Sequence, residues 1–497
     1  MTDNRNSYGN ILKSIGLFGG VQVFQIIVGI VRNKFAALLL GPAGMGVVGL
    51  ITSTIQLIGA FSGLGLRTSA MRDIASATSS KDESHIGNVI SVLRKLVIVT
   101  GLIGALFTFL FAKWLSLASF GSEAYTNAFR IVSVVLFLDQ LCVGQTVLMQ
   151  GTFHYKYMAR SSLIGSVVGL LVSVPLYYMY GESAIVPVII ISSLSSLLLS
   201  TYFARKIKYQ KIKLPISKVW SDGKGMIVLG AAVALSGVVH TGGVYVTRII
   251  ISNMGTIADV GLYTAGMAIV TQYVNVLLSA MSSDYAPRLS SMSNNKEVFI
   301  ETINRQMKLI ITMISPMILL FIILIREVTI LLYSDKFLPI SSMLEWLMLG
   351  MFFRSTSWCI SYAQVAHGDS KTFFINEFLA TVMSVILAAV GYSLMGFSGI
   401  GIAFFLNNLI YTIQMYLMNK WLFGYTISKD ALQVCVKFLL FLFVCFIIIK
   451  WLNYSLMRYI VGICLFGLSL LLFYIEINKM VPIKEAWMAM KTKYLNK

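Results

Sequence analysis

The sequence predicts an all-α polytopic membrane protein with about fourteen transmembrane helices. Hydrophobic residues make up 57% of the 497-residue chain and charged residues only 12%, whereas soluble domains carry roughly 25% charged residues. The mean hydropathy is +0.81. Fourteen mostly apolar runs are each long enough, at about 20 residues, to cross a bilayer core. A soluble globular enzyme and a disordered chain are therefore excluded.

The fourteen runs follow one another with only short connections. They lie at residues 11–40, 43–66, 89–112, 125–148, 158–180, 183–203, 225–251, 259–283, 305–325, 339–366, 372–395, 399–421, 433–451 and 458–477. The first two are separated only by Gly41-Pro42-Ala43-Gly44, which indicates a tight turn without a polar loop. An even number of crossings places both termini on the same side of the membrane.

The 39 basic residues, against 20 acidic ones, predict the orientation. Most of them fall in alternate loops, above all in the central loop 204–225, and few, Arg458 among them, fall in the opposite loops. The positive-inside rule then places both termini in the cytoplasm. We interpret the central loop as an anchor that touches anionic lipid. No soluble domain presents it, so we expect no nucleic-acid partner.

The central loop also divides the spans into six and six. We expect an N-lobe over residues 1–215, a C-lobe over 216–424, and two further spans with a cytoplasmic tail over 425–497. Both lobes begin alike: a basic residue, Lys34 or Arg248, precedes a glycine by seven positions, and Val48-Gly49-Leu50 parallels Val260-Gly261-Leu262. Two pseudo-symmetric six-helix lobes around a central cavity follow, because duplicated transporters commonly bind substrate between their repeats.

Polar residues inside the first span are the first candidates for a site. Gln22, Gln25, Arg32 and Asn33 share one helical face, while Lys34 points roughly 120° away from Gln22. A charge at membrane depth is costly and must face a cavity or a partner. The stripe favours Arg32, whereas the internal repeat favours Lys34, and the alternative is that either side chain reaches the headgroups.

Spans 7 and 10 each carry one deep arginine. Arg248 shares a face with Tyr245, and Arg354 lies in the middle of its span. We expect both arginines to face the cavity, although Arg248 could instead bind carbonyl groups of a neighbouring helix. Arg94 and Lys95, at the start of span 3, are expected to reach the headgroup region.

The remaining candidates allow two interpretations each. Arg130 could contact headgroups or the cavity, and Asp139 could pair with an arginine or bind a coupling ion. Gln272 and Asn275, on span 8, suit a hydroxyl-rich ligand but also helix–helix hydrogen bonding. The carboxylates Glu345 and Glu377 could each form a lateral ion pair.

The sign of the deep charges predicts an anionic ligand. The guanidinium fork binds two phosphate oxygens at once, and few intramembrane acids compete for it. The sequence contains no HExxH motif, no GxSxG elbow and no phosphate-binding GKS/T loop. We therefore expect no enzyme activity, no cofactor and no metal.

Several motifs together resemble a known family. They are Gly41-Pro42-Ala43-Gly44-Met45-Gly46, Tyr245 with Arg248, Ala286-Pro287-Arg288-Leu289-Ser290, Leu331-Leu332-Tyr333-Ser334-Asp335-Lys336-Phe337, and Trp346 with Arg354. Over about residues 8–421 the chain resembles O-antigen flippases. It is similar to the lipid III flippase branch of the polysaccharide-transporter family, in the multidrug/oligosaccharidyl-lipid/polysaccharide exporter superfamily.

The resemblance implies a function in lipopolysaccharide biosynthesis. Members move an oligosaccharide on undecaprenyl pyrophosphate from the cytoplasmic to the periplasmic leaflet of the bacterial inner membrane by alternating access. It implies substrate contacts at Lys34, Arg130, Arg248 and Arg354. Arg32-Asn33 stands where lipid II flippases have Arg-Asp, and spans 13–14 look like the extra pair of those flippases. We expect a monomer surrounded by membrane lipid, with a polysaccharide polymerase and a chain-length regulator as possible partners.

Two other functions are weighed against a flippase. A cation-coupled multidrug exporter of the same superfamily should have an acidic or apolar cavity, whereas the charges here are basic. A membrane polysaccharide polymerase should present carboxylates on a sizeable outer loop, and the outer loops here are short.

Overall fold

The structure is a computed structural model that describes residues 2–80, 82–210, 212, 214–292, 295–452 and 455–480. Inside its helices, the side chains of 2–19, 216–217, 232–233, 272–277, 279–280, 283–284 and 286–287 lie outside the description. The described residues form α-helices and short 3₁₀ turns. The helices are α1 (Thr2–Ser62), α2 (Leu66–Ser79), α3 (Glu83–Leu110), α4 (Ala112–Phe120), α5 (Thr126–Gly151), α6 (Tyr155–Tyr180), α7 (Ile185–Ala204), α8 (Ile216–Met254), α9 (Ile257–Ser291), α10 (Lys296–Ile323), α11 (Ile325–Leu332), α12 (Ser341–Ala366), α13 (Ser370–Phe423), α14 (Lys429–Trp451) and α15 (Leu456–Met480).

Ten segments of the described chain are long and apolar enough to cross a membrane. Three of them, Gly20–Ser62, Tyr155–Ala204 and Ser370–Phe423, contain 43, 50 and 54 residues, about twice the length that one crossing needs. With two crossings for each of these, and one for α9, the number is about fourteen. The predicted all-helical, polytopic fold class is confirmed.

Two glycines break the longest helices where the sequence predicts turns. Gly41 in α1 has a φ of 66°, and Gly396 in α13 has a φ of 58°. Glycine takes up this region without the steric cost that a Cβ would add. The two arms of α13 then pack together, because a Cβ on Gly399 would lie 1.8 Å from the carbonyl oxygen of Gly391.

The chain divides into two compact units. The first comprises residues 1–265 and 331–337, and the second comprises 266–330 and 338–497. The predicted division into an N-lobe, a C-lobe and a C-terminal helix pair stays a prediction.

In the first unit, glycines allow α1 and α9 to pack with almost no space between their backbones. A Cβ on Gly46 would lie 1.9 Å from the carbonyl oxygen of Ile257, and a Cβ on Gly261 would lie 1.9 Å from that of Pro42. Gly46 thus meets the carbonyl of Ile257, which lies four residues before Gly261. In the same way, Gly261 meets the carbonyl of Pro42, which lies four residues before Gly46. We call this reciprocal contact the glycine seam.

The register of the glycine seam bears on the internal repeat. A Cβ on Gly49 would meet the Oγ1 atom of Thr264 at 2.9 Å, and this pair has the same sequence separation as Gly46 and Gly261. A reciprocal contact of this kind is typical of a two-fold relationship, in which equivalent residues face each other. In the seam, the residue equivalent to Gly261 is therefore Gly46. The sequence pattern instead makes Gly49 its equivalent, so the two registers differ by three residues.

The central basic loop is held against α3. We name residues 205–214 the strap; 211 and 213 lie outside the description. Ser91 donates a hydrogen bond to the carbonyl oxygen of Ile212 at 2.7 Å, and Lys95 donates to that of Leu214. The Arg94 guanidinium stacks 5.4 Å from the centre of the Tyr209 ring. The Lys95 ammonium thus caps the strap, and its reach to the headgroup region stays a prediction.

The strap buries apolar residues, and its described cations are exposed. Ile207 and Leu214 are buried, whereas Arg205, Lys206 and Lys208 are exposed. Burial raises the pKa of Tyr209, and the neighbouring Arg94 guanidinium opposes that shift. The strap is a packed element of the first unit that presents a row of positive charge.

In the second unit, α10 packs against α12, α14 and α15. A buried ion pair joins these helices: Nη2 of Arg458 on α15 lies 3.8 Å from Oε1 of Glu345 on α12. The same nitrogen donates a 2.7 Å hydrogen bond to the carbonyl oxygen of Ile322 on α10. The lateral ion pair expected for Glu345 is confirmed. Arg458 lies in the first turn of α15, where its side chain is only 1% exposed, and its assignment to the outer side of the membrane stays a prediction.

Candidate functional site

The first crossing of α1 carries five predicted site residues. Arg32 reaches α6, where its Nη1 atom lies 3.7 Å from the position of a Cβ on Gly169. The buried Tyr177, two turns further along α6, is an electrostatic neighbour of the same guanidinium. Within the described ranges, no carboxylate forms an ion pair with Arg32. Of the other predicted residues on this crossing, Gln22 is exposed, and Gln25, Asn33 and Lys34 are half-buried.

Arg248 on α8 is partly fixed by the backbone of α1. Its Nη1 atom donates a 2.8 Å hydrogen bond to the carbonyl oxygen of Gly49. Its buried Nε atom has no hydrogen-bond partner in the described part of the chain. A guanidinium has five N–H donors, so this contact leaves donors for another group. The tie to a neighbouring helix is therefore present, and a ligand-binding role stays a prediction.

Tyr245 and Arg130 make separate local contacts. The buried Tyr245 hydroxyl lies 2.8 Å from the hydroxyl of Ser119, which joins α8 to α4. Arg130 is exposed near the start of α5, where it donates a 3.4 Å hydrogen bond to Asn127. These contacts anchor Tyr245 and leave most of the Arg130 guanidinium accessible.

Asp139 lies half-buried on α5, beside the Ser193 hydroxyl of α7. No ion pair to Asp139 forms among the residues that the structure describes. Its predicted role in ion coupling stays a prediction. Gln272 and Asn275 lie on α9, and their side chains are outside the described part of the chain.

In the second unit, Arg354 belongs to a polar cluster inside the helices. The half-buried Arg354 on α12 interacts electrostatically with Glu377 and Tyr411, one on each arm of α13. The Tyr411 hydroxyl donates a short hydrogen bond to Glu377. Arg354 is thus neighboured by one carboxylate, and that carboxylate is already shared with a tyrosine.

Amide side chains extend this cluster. Gln414 donates to Asn376 at 2.7 Å, and Asn376 donates to Gln364 at 3.3 Å. Sequence reasoning missed Tyr411, Gln414 and Gln364. Neutral polar residues are common on transmembrane helices, and only the hairpin at Gly396 brings the two arms of α13 together. The one signal available was Glu377, a lone carboxylate in an apolar run.

Aromatic rings lie one helical turn from Arg354. The Trp358 ring is 4.8 Å from that of Tyr362 and 5.7 Å from that of Tyr285, measured between centroids. The Tyr285 hydroxyl donates to the carbonyl oxygen of Cys359 at 2.9 Å. Trp358 and Tyr362 are half-buried, so each ring keeps an accessible surface beside the polar cluster.

Each unit also contains a sizeable recess. In the first unit, an apolar groove of about 560 Å³ runs between α1 and α6. In the second, a polar cavity of about 1280 Å³ lies among the ends of α10, α14 and α15. Six lysine and glutamate side chains line this cavity: Glu297, Glu301, Lys308, Lys437, Glu476 and Lys479. Glu476 accepts hydrogen bonds from Lys437 at 2.8 Å and from Lys479 at 3.2 Å.

Comparison with known proteins identifies similar sequences. A family model described as polysaccharide biosynthesis protein matches residues 36–342. A protein of Shigella flexneri named as an O-antigen transporter is 23% identical over 362 residues, which cover 71% of this chain and 84% of that protein. The lipid III flippase of Escherichia coli K12 is 21% identical over 363 residues, with the same coverage of 71% and 84%.

Solved structures share the fold. An inward-facing multidrug resistance transporter of the MATE family, in the MOP superfamily, superposes with a TM-score of 0.70 at 17% identity and covers 80% of this chain and 94% of its own. The lipid II flippase MurJ, in an inward closed conformation, superposes with a TM-score of 0.69 at 16% identity and covers 93% and 98%. At such identities the likeness establishes a common helical architecture.

Proposed function

The chain belongs to the polysaccharide biosynthesis protein family, and on that basis we propose that it is a flippase for a lipid-linked oligosaccharide. Its substrate would be an O-antigen or similar repeat unit on undecaprenyl pyrophosphate. The protein would move it from the cytoplasmic to the periplasmic leaflet of the bacterial inner membrane by alternating access. The relatives named for O-antigen transport and lipid III flipping support this proposal.

The observation that carries the proposal is the presence of three arginines within the membrane-spanning segments. Arg32, Arg248 and Arg354 are placed by helices that cross the membrane, and among the described residues only Arg354 has a carboxylate neighbour. Such charges are expensive in a membrane unless a ligand or a partner compensates them. A pyrophosphate group supplies that compensation, because each guanidinium binds two of its oxygens.

The surroundings of Arg354 suit the sugar part of the substrate. The amides of Gln364, Asn376 and Gln414 provide donors and acceptors for hydroxyl groups. The half-buried rings of Trp358 and Tyr362 provide flat apolar surfaces of the kind that the apolar faces of sugar rings can cover. We therefore assign sugar contacts to this cluster and pyrophosphate contacts to the arginines.

The proposal also specifies the cellular arrangement. Both termini would lie in the cytoplasm, and the monomer would act as a transporter rather than as an enzyme. A polysaccharide polymerase and a chain-length regulator would receive the product on the periplasmic side. The basic strap supports this orientation, because positive segments beside membrane spans collect on the cytoplasmic face.

The proposal is tested in cells that depend on this protein for surface polysaccharide. We expect Arg248→Ala combined with Arg354→Ala to abolish the polysaccharide ladder while the protein remains in the membrane at normal amounts. Lys371→Gln, which removes an exposed cation at the start of α13, serves as the control and should leave the ladder unchanged. A normal ladder from the double variant would contradict the proposal.

A further inference from the structure

The apolar groove between α1 and α6 lies close to the guanidinium of Arg32. Gly20, Val21 and Phe24 line it from α1, and residues 163, 164, 167 and 168 line it from α6. Gly169 adjoins the last of these residues, and the Nη1 atom of Arg32 lies 3.7 Å from the position of a Cβ there. Val21 and Arg32 are eleven residues apart, which places them within about 20° on the same helical face.

The depth of this guanidinium separates it from an ordinary lipid contact. Gly169 lies near the middle of α6, which extends from Tyr155 to Tyr180. Arg32 is nine residues, or about 14 Å along the helix axis, before the break at Gly41. The phosphates of surrounding phospholipids lie at the ends of transmembrane helices. A phosphate at Arg32 would instead lie inside the membrane, as the headgroup of a transported lipid must during its passage.

We propose that this groove binds the isoprenoid chain of a polyprenyl phosphate lipid, with the phosphate held by Arg32. The inference rests on the proposed function for the class of lipid. The groove supplies an apolar surface of sufficient size, and its one ring, Phe24, and its branched side chains match a methyl-branched chain. The exposed guanidinium close to the groove complements the negative charge that joins such a chain to its headgroup.

Two glycines of α1 provide a matched pair of variants. Gly20 lines the groove, and a Cβ on it would meet no atom within 4 Å. Gly20→Leu therefore adds an apolar side chain at the groove, and its Cβ has room. Gly29 lies on the same helix, also has no atom within 4 Å of a Cβ, and does not line the groove. Gly29→Leu controls for the added side chain.

The test is photo-crosslinking of the purified full-length protein in phosphatidylcholine nanodiscs. The probe is a polyprenyl phosphate with a diazirine in its chain, and peptide mass spectrometry locates the labelled sites. We expect labelling at residues 20–24 and 163–168, competed by undecaprenyl phosphate but not by undecaprenol or phosphatidylglycerol. Gly20→Leu and Arg32→Gln should each reduce the labelling at least five-fold, whereas Gly29→Leu should not.

Three results would overturn the inference. They are labelling spread over all lipid-facing helices, equal competition by phosphatidylglycerol, and full labelling of Arg32→Gln. A transport assay in liposomes with the lipid-linked oligosaccharide separates this inference from the proposed function. If the probe does not label the groove but the protein still transports the lipid-linked oligosaccharide, the groove is rejected as the lipid site and the flippase proposal stands. If the probe labels the groove but the protein does not transport the oligosaccharide, the flippase proposal is rejected and the lipid site stands.

Discussion

Arg458 and Glu345 form an ion pair between α15 and α12 at 3.8 Å, inside the second unit. Both side chains are buried, and the guanidinium also donates to a carbonyl of α10. A buried charge whose partner is removed keeps its desolvation cost without compensation. This pair therefore holds the C-terminal helices in place only while both of its members are present.

Removal of one member should destabilise the protein more than removal of both. We expect Arg458→Met to lower the free energy of unfolding by about 3 kcal/mol. The double variant, Arg458→Met with Glu345→Leu, should recover much of that loss because it leaves no unpaired buried charge. The measurement is the thermal unfolding midpoint of the purified protein in detergent. Lys113→Met breaks the exposed pair with Glu123 and should cost less than about 1 kcal/mol. Additive losses in the double variant would show that the pair is not coupled.

The glycine seam predicts an effect of a single methyl group. Gly261→Ala places a Cβ 1.9 Å from the Pro42 carbonyl oxygen, so α1 and α9 must move apart. We expect a loss of about 2 kcal/mol or more, seen as a lower unfolding midpoint. Gly237→Ala meets no atom within 4 Å, and it should be neutral or stabilising because alanine favours helix. Equal midpoints for the two variants would mean that the seam opens without cost.

The strap predicts a change in protease sensitivity. Lys95→Met removes the ammonium that caps the Leu214 carbonyl, so the strap should detach from α3 more often. We expect trypsin to cleave after Arg205, Lys206 or Lys208 several-fold faster in inside-out vesicles. Arg72→Gln, at an exposed position on α2, should leave the rate unchanged. An unchanged rate in Lys95→Met would show that the apolar contacts alone hold the strap.

Glu377 and Arg354 should affect an anionic ligand in opposite directions. Arg354→Gln removes an attractive charge, whereas Glu377→Gln removes a repulsive one from the same cluster. We expect undecaprenyl pyrophosphate to bind roughly five-fold more weakly to the first variant and roughly five-fold more tightly to the second, for a change of about 1 kcal/mol each. Binding can be measured by fluorescence quenching in detergent. Weaker binding by both variants would indicate that the cluster is purely structural.

Length and hydropathy were sufficient to predict the transmembrane helices. The breaks at Gly41 and Gly396 fall in the short gaps between predicted spans, because a crossing of about 20 apolar residues leaves little choice of boundary. The short helices α2, α4 and α11 were not predicted. They lie at the ends of spans or between them, where tertiary packing decides whether a turn continues as helix.

The candidate site was less accessible to sequence reasoning. Helical faces place Arg32 and Arg354 among polar neighbours, but they do not show which helix each guanidinium meets. The contact of Arg248 with Gly49 joins residues about 200 positions apart, and Arg458 pairs with a carboxylate more than 100 positions away. Such pairings depend on which helices become neighbours, and periodicity within one helix carries no information on that.

The reciprocity of the glycine seam couples the residue sizes that positions 46 and 261 can accept. Gly46 borders the backbone of α9 and Gly261 borders that of α1, at the same register. A larger residue on one side can be accepted only if the opposite helix recedes, and that recession changes the space available on the other side. The two positions can therefore not diverge independently. Among relatives that share this contact, residue size at position 46 should covary with residue size at position 261.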